Sequence, residues 1–258
     1  MTTEKTLFKL CIDVGNSFVK LYFFKENEVS EKKVFETTAV ENLIDYLKNE
    51  KEKISKVVMS SVAEIILTEK LENFLKEHFD YFRFSTAINL PFQSEYQPLN
   101  NLGLDRLAVL FAAYHKFPNE NVLIVDAGTC ITYDLLSAER MHKGGAISPG
   151  LNMRLKALNH FTGRLPLVSN NSTLPNLAGI NTQEAILSGV KWGISKEIQG
   201  VIKEYEKNYP HLKVVLTGGD IIFFEIPLKS SIFALENFLA IGLNASLAYQ
   251  KNSESKNI

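Results

Sequence analysis

One pattern occurs twice in this chain: an apolar strand, a polar turn built on Asp-x-Gly, and a second apolar strand. In the first copy Leu10-Cys11-Ile12 leads into Asp13-Val14-Gly15-Asn16-Ser17, and an apolar run resumes over residues 18–24. In the second, residues 122–125 lead into Asp126-Ala127-Gly128-Thr129, and a strand resumes at Ile131. A single turn of this kind is usually just a turn. Two apolar strands broken by the same polar turn are hard to ascribe to packing. Two such turns facing each other would hold a polyanion and its metal.

The residue types suit that chemistry. A carboxylate at a strand end fits Mg2+, which takes one or two carboxylates and leaves its other positions to water and phosphate oxygens. Gly15 and Gly128 permit sharp turns and close backbone approach, so that N–H groups can point at phosphate. Ser17 and Thr129 add hydroxyls. Lys20 is a cation in an otherwise apolar strand, placed by alternation either near the phosphates or on the solvated face.

Three further stretches stand out. Thr217-Gly218-Gly219-Asp220 ends a strand, either as a platform for a flat ring or as a plain strand–helix turn. Gly144-Gly145 with Pro149-Gly150 reads as a rigid turn before a helix. Asp105-Arg106 precedes a helix, so Asp105 is either its N-cap or a general base, with the arginine fixing an anionic substrate. The P-loop, Rossmann and nucleophile-elbow fingerprints are missing. The five histidines lack metal-ligand spacing and read as surface or helix-face residues.

Periodicity gives strands over 7–14, 18–24 and 28–35, a helix over 40–49, a strand over 56–59, a helix over 65–79 and a strand over 81–84. Residues 85–103 read as an irregular, functional loop, followed by a helix over 107–115. After Pro118 come strands at 122–125 and 131–136, a helix over 151–161, an Asn/Pro-rich loop over 169–179, a long helix over 182–209, a strand at 214–216, a helix over 236–250 and a polar tail. This alternation is an α/β pattern. With 258 residues, it divides near residue 118 into lobes 1–118 and 119–258. Gly189, Gly193 and Gly200 weaken the long helix by roughly 1 kcal/mol each. They fit close packing within the chain or across a two-fold, or else a bent core helix.

A formal charge of -1 gives no reason to expect nucleic acid or an anionic membrane as partner. No run reaches the ~18 apolar residues of a membrane span, and the first ten residues lack a secretory pattern. Two cysteines, Cys11 and Cys130, make no disulfide framework and read as buried free thiols. Together these point to the cytoplasm.

The motifs, in their order, resemble the phosphate-1, phosphate-2 and adenosine motifs of the acetate and sugar kinase/Hsp70/actin superfamily. Within it the chain is similar to the type III pantothenate kinases. The resemblance rests on Asp13–Ser17, Gly103-Leu104-Asp105-Arg106, Asp126–Thr129, Gly144–Gly150 with Leu165-Pro166, and Thr217–Asp220. It implies two actin-like (ribonuclease H-like) lobes, with mixed sheets flanked by helices, in a homodimer. It implies transfer of phosphate from ATP to pantothenate, the first step of coenzyme A synthesis. The alternatives are a superfamily kinase for another small hydroxy acid or a non-catalytic nucleotide-binding regulator. By the same resemblance Asp13, Val14, Gly15, Asn16, Ser17, Phe18, Val19, Lys20 and Thr129 bind ATP, and Asp13 serves Mg2+ through the phosphates. Asp126 binds a monovalent cation, K+ or NH4+. Asp105 is the base, and Tyr96, Gly103, Leu104, Asp105, Arg106 and Thr182 contact pantothenate. Ser17 stands where threonine is usual, and Cys130 where alanine is common.

Overall fold

A computed structural model describes residues 7–171, 173–224, 226–227, 229 and 231–254, with side chains described as far as Leu247. In the first unit, strands β1 Phe8–Val14, β2 Phe18–Lys25, β3 Glu28–Glu36, β4 Ile54–Ser61 and β5 Tyr81–Arg83 form one sheet in the order β3-β2-β1-β4-β5. β1 pairs antiparallel with β2 and parallel with β4. It is central because Leu10, Cys11, Ile12 and Val14 are apolar toward both faces, and all four are buried. β3 carries Glu28, Glu31, Lys32, Lys33 and Glu36, and it lies at the edge, where charge discourages further pairing.

Helices α1 Val40–Glu50 and α2 Ile65–His78 cover one face, where Leu43, Leu47, Leu71 and Leu75 pack with Leu10, Ile12 and Val14. Helices α3 Leu104–Lys116 and α6 Phe238–Glu254 contact β4 and β1. α3 is buried from Arg106 to Ala113, as a helix apolar all round must be.

The second unit repeats the plan. Its strands are β6 Gln93–Ser94, β7 Val122–Ala127, β8 Cys130–Leu136, β9 Met141–Pro149, β10 Lys213–Thr217 and β11 Ile232–Ala234, in the order β11-β10-β7-β8-β9-β6. With β7 in the place of β1, the first unit's order recurs, and β6 is added at the outer edge of β9. Helices α4 Leu151–His160 and α5 Thr182–Asn208 supply Leu151, Leu155, Ile194 and Ile198 to its core. Both sheets mix parallel and antiparallel pairs and are flanked by helices, as expected.

The units comprise Met1–Phe92, Tyr96–Lys116 and Phe238–Ile258 on one side, and Gln93–Glu95 and Phe117–Asn237 on the other. The last helix therefore belongs with the first unit, whereas the linear reading kept 119–258 together. The reason is α3: a Cβ on Gly242 would lie 1.7 Å from the carbonyl oxygen of Ala108, so α6 rests directly on the α3 backbone.

Other local readings change as well. Residues 144–149 are not a turn but part of β9. Gly144 takes φ +87° there, and the β8–β9 register shifts between Asp134 and Leu136, so the glycine makes a bulge inside a strand. The irregular stretch 85–103 contains β6. His142 is neither surface nor helical: it is fully buried on β9. Of the expected free thiols, Cys11 is buried and Cys130 half-buried. The polar tail continues α6 to Glu254; its last four residues, like residues 1–6, lie outside the described part.

Candidate active site

The first Asp-x-Gly turn is built by β1 and β2. Asp13 stands one residue from the end of β1, and the register sets Lys20 directly opposite it. Lys20 Nζ lies 3.7 Å from Asp13 Oδ2. Paired residues of an antiparallel ladder share a face, so Lys20 lies on Asp13's side of the sheet and is partly exposed there. The Gly15 N–H donates to the Phe18 carbonyl at 2.9 Å and closes the turn. Thr37 ties it down from β3's end: its hydroxyl donates to the Asn16 and Ser17 carbonyls at 3.2 and 3.3 Å. The backbone is thus fixed while the side chains of Asn16, Ser17 and Phe18 stay exposed. Val14 and Val19 are buried beneath it.

Asp105 lies in the first turn of α3 and is exposed. Its Oδ1 accepts the Arg106 N–H at 2.8 Å. A Cβ on Gly103 would come within 2.5 Å of that same oxygen and displace the carboxylate. Arg106 is buried, and its guanidinium carbon sits 5.2 Å from the centre of the Tyr96 ring, a cation–π contact that holds the cation in place. Leu104 is half-buried between them in sequence.

Asp13 senses Asp105. Burial pushes the Asp13 carboxyl above its ordinary pKa, and the Asp105 charge pushes the same way; Lys20 opposes both. A carboxylate whose folded pKa is raised opposes folding once it ionises, so its cost is absent at low pH and grows as pH rises through that pKa. Asp13→Asn is therefore expected to raise Tm at neutral pH. The gain should vanish only below the ordinary aspartate pKa, where the group is protonated in both the folded and the unfolded state, and thermal unfolding across pH checks it. Loss of ATP turnover in the same variant would mark a residue retained for function at a cost in stability.

The second unit assembles three glycine corners that are far apart in sequence. Asp126 pairs with Thr132 on β8 and with Thr217 on β10. The Gly128 N–H donates to the Cys130 carbonyl at 2.9 Å. Gly150 lies on this turn so closely that a Cβ would sit 2.2 Å from the Gly128 oxygen and 2.4 Å from the Thr129 oxygen. Gly218, at φ +95°, presses on the other side, where a Cβ would meet the Ala127 oxygen at 2.2 Å and Asp126 Oδ1 at 2.4 Å. The Asp220 N–H donates to the Ala127 carbonyl at 2.9 Å, and burial pushes the Asp220 carboxyl upward. Thr129 is exposed.

Thr182 opens α5 and is exposed. Asn181 caps that helix by accepting the Glu184 N–H at 3.0 Å, while Glu184 accepts the Ile180 N–H at 3.1 Å, a reciprocal capping pair. Asp13, Lys20, Tyr96, Asp105 and Arg106 fall in the first unit, and Thr129, Asp126 and Thr182 in the second.

Among the described residues, no three His, Cys, Asp or Glu side chains are grouped to enclose a metal. The Asp13 carboxylate is of the donor type that Mg2+ takes when its other positions go to water and phosphate oxygens. Asp126 offers an oxygen donor of the kind that suits a hard monovalent cation.

Sequence reasoning missed several polar groups. Lys191 is fully buried on α5 and donates to the Asn171 and Thr173 carbonyls, and to Asn171 Oδ1 at 3.0 Å. It straps the Asn/Pro-rich loop to the helix, with help from Trp192 Nε1 donating to the Pro175 carbonyl at 3.0 Å. His142 Nε2 lies 3.1 Å from Asp134 Oδ1, and its Nδ1 lies 2.8 Å from Ser94 Oγ. The order is that of a hydrolase triad, but Asp134 and His142 are wholly buried, so the relay serves to hold β6 to the sheet. A lysine in an apolar helix stripe and an aspartate in an apolar strand were the only signals available.

Comparison with known proteins decides the family. The profile of type III pantothenate kinase matches residues 9–204. The chain belongs to the type III pantothenate kinase family. It is 44% identical over 242 residues to the type III pantothenate kinase of Christiangramia forsetii, covering 94% of this chain and 98% of that one. It is 40% identical over 242 residues to that of Bacteroides fragilis strain YCH46, covering 93% and 97%. Among solved structures, a Campylobacter jejuni protein named as a Baf family transcriptional activator superposes with a TM-score of 0.62 at 24% identity, covering 94% of this chain and 99% of that one. An inorganic polyphosphate/ATP-glucomannokinase from Arthrobacter sp. strain KM superposes with a TM-score of 0.51 at 14% identity, covering 95% and 99%. At these identities the structural likeness speaks to the fold alone, which the chain shares with that glucomannokinase. No described helix is long and apolar enough to cross a membrane.

Proposed function

We propose that the protein transfers the γ-phosphoryl group of ATP to the primary hydroxyl of pantothenate, the first step of coenzyme A biosynthesis. The observation that carries this reading is Asp105: an exposed carboxylate, fixed by the Arg106 N–H and close enough to Asp13 to perturb it. Asp105 takes the hydroxyl proton. The oxygen forms its bond to the γ-phosphorus as the bond to the bridging oxygen of ADP breaks. Arg106, held over Tyr96, meets the carboxylate of pantothenate, and Gly103 and Leu104 line the same segment.

Asp13 to Lys20 bind the ATP phosphates through the anchored turn and the Lys20 ammonium, and Thr129 adds a hydroxyl. Mg2+ at the phosphates beside Asp13 and a monovalent cation, K+ or NH4+, at Asp126 would supply positive charge to offset what builds on the transferring group. What the protein contributes is position and field.

A coupled ADP-release assay tests the reading. ADP release should require pantothenate and should rise when K+ is added. ATP hydrolysis indifferent to pantothenate, or none at all, would overturn it.

The same reading makes the enzyme a cytoplasmic homodimer, with Thr182 acting near the interface. Support comes from α5: Cβ atoms built on Gly189, Gly193 or Gly200 meet nothing within 4 Å, and all three glycines are exposed. They therefore serve no packing among the described residues of the chain and leave an open stripe for a second copy. Light scattering should give a dimer for the native protein and a monomer for Gly193→Arg. A native monomer would remove Thr182 from any role across an interface.

A further inference from the structure

We propose that Arg154, Glu197 and Tyr133 are positioning residues that set the 126–129 turn, and through it the affinity for ATP. The proposal rests on Thr129 binding ATP.

The placement of that turn follows from its neighbour. Gly150 lies against the Gly128 and Thr129 carbonyls, and its N–H donates to the Thr129 oxygen at 3.2 Å. The β8–β9 register adds Cys130 opposite Pro149 and Ile131 opposite Ser148. Whatever fixes residues 148–150 therefore fixes the turn.

Arg154, on the first turn of α4, fixes them. Its Nε donates to the Pro149 carbonyl at 2.8 Å, one terminal nitrogen donates to Ser148 Oγ at 2.9 Å, and its backbone N–H donates to the Gly150 carbonyl at 3.0 Å. The same terminal nitrogen reaches Glu197 Oε2 on α5 at 2.5 Å. Glu197 Oε1 accepts the Tyr133 hydroxyl at 3.0 Å, and Tyr133 is buried on β8. One strand and two helices thus converge on a single guanidinium. Arg154 and Glu197 are only 23% and 28% exposed, so their charge-assisted bonds are screened less than surface pairs. Burial pushes the Glu197 carboxyl up, but hydrogen bonds from Arg154, Ser148 and Tyr133 outweigh it and hold the carboxyl below its usual value. Glu197 is therefore a fixed anion at working pH, and Arg154 is held from both sides.

The test measures KM for ATP and for pantothenate separately in Glu197→Gln, Arg154→Met, the double variant and Tyr133→Phe, with Tm recorded for each. Each single charge removal should raise KM for ATP about tenfold, the scale of one charged hydrogen bond, and leave KM for pantothenate unchanged. The double variant should be no worse than the worse single, as members of one network behave. Arg154→Lys should recover part of the loss. Tyr133→Phe keeps the shape of the core and should show a smaller shift of the same kind should the charge variants fail to fold. Equal rises in both KM values, or a fall in Tm with KM for ATP unmoved, would overturn the proposal. Thr129→Ala separates the two ideas. If it raises KM for ATP while Glu197→Gln does not, the positioning role fails alone; if it changes nothing, the nucleotide role of the turn fails and the proposal falls with it.

Discussion

Asp105→Asn is expected to cut kcat by about a hundredfold to ten-thousandfold, the range for losing a general base, while pantothenate still binds. The structure makes this substitution informative. Asp105 Oδ1 accepts the Arg106 N–H, and an asparagine oxygen can accept it equally well. The start of α3, the buried Arg106 and its stacking on Tyr96 should therefore survive. What is lost is the ability to take a proton, and with it the negative charge that raises the Asp13 pKa. Asp105→Ala removes the acceptor too and should also cost about 1 kcal/mol of stability, the net worth of one hydrogen bond. Calorimetric binding of pantothenate beside steady-state kinetics separates the roles. An Asp105→Asn enzyme of normal kcat, with Asp105→Ala impaired only in stability, would leave Asp105 as an acceptor for the Arg106 N–H and nothing more.

Gly242→Ala is expected to be strongly destabilising. Its Cβ would lie 1.7 Å from the Ala108 oxygen, 2.6 Å from the Ala108 carbonyl carbon and 3.1 Å from the Ala112 nitrogen. These are backbone atoms of a helix whose residues 106–113 are all buried, so no side chain can swing aside. α3 and α6 must separate, opening contacts along both helices. Overpacking of this kind costs about 3 kcal/mol, a fall in Tm of roughly 6–12 °C for a chain of this size. Because α3 carries Asp105 in its first turn, kcat should fall as well. Thermal unfolding and kinetics on one preparation check both. A Gly242→Ala protein with native Tm would mean that the two helices are not in backbone contact.

Much of the site was legible because its chemistry sits where periodicity breaks. An apolar strand that ends in Asp-x-Gly announces itself, since nothing in core packing asks for a carboxylate there. The Asp13 and Asp126 turns showed in that way, and the polar residues ahead of the helices that carry Asp105 and Thr182 marked their starts. The Gly144-Gly145 pair did not. It looks like a turn until β8 lies beside it, when one left-handed residue becomes a bulge in a continuing strand. His142 was likewise misread, because a lone histidine carries no mark of the Asp134 and Ser94 side chains waiting on neighbouring strands. Arg154 and Glu197 are 43 positions apart and look like ordinary helix-surface charges until α4 and α5 pack.

The sequence by itself determined the main helices and the central strands, the repeated strand–turn–strand plan and the residue types at each turn, because these depend on neighbours a few positions away. Only the tertiary structure decided which side of β2 Lys20 occupies, which unit receives the last helix and which glycines are packing requirements. Gly242 and Gly193 each sit inside a helical stretch of the sequence. One touches the backbone of another helix and the other faces open space. That difference lies in what comes near them from elsewhere in the chain, and close approach between distant segments has no local signature.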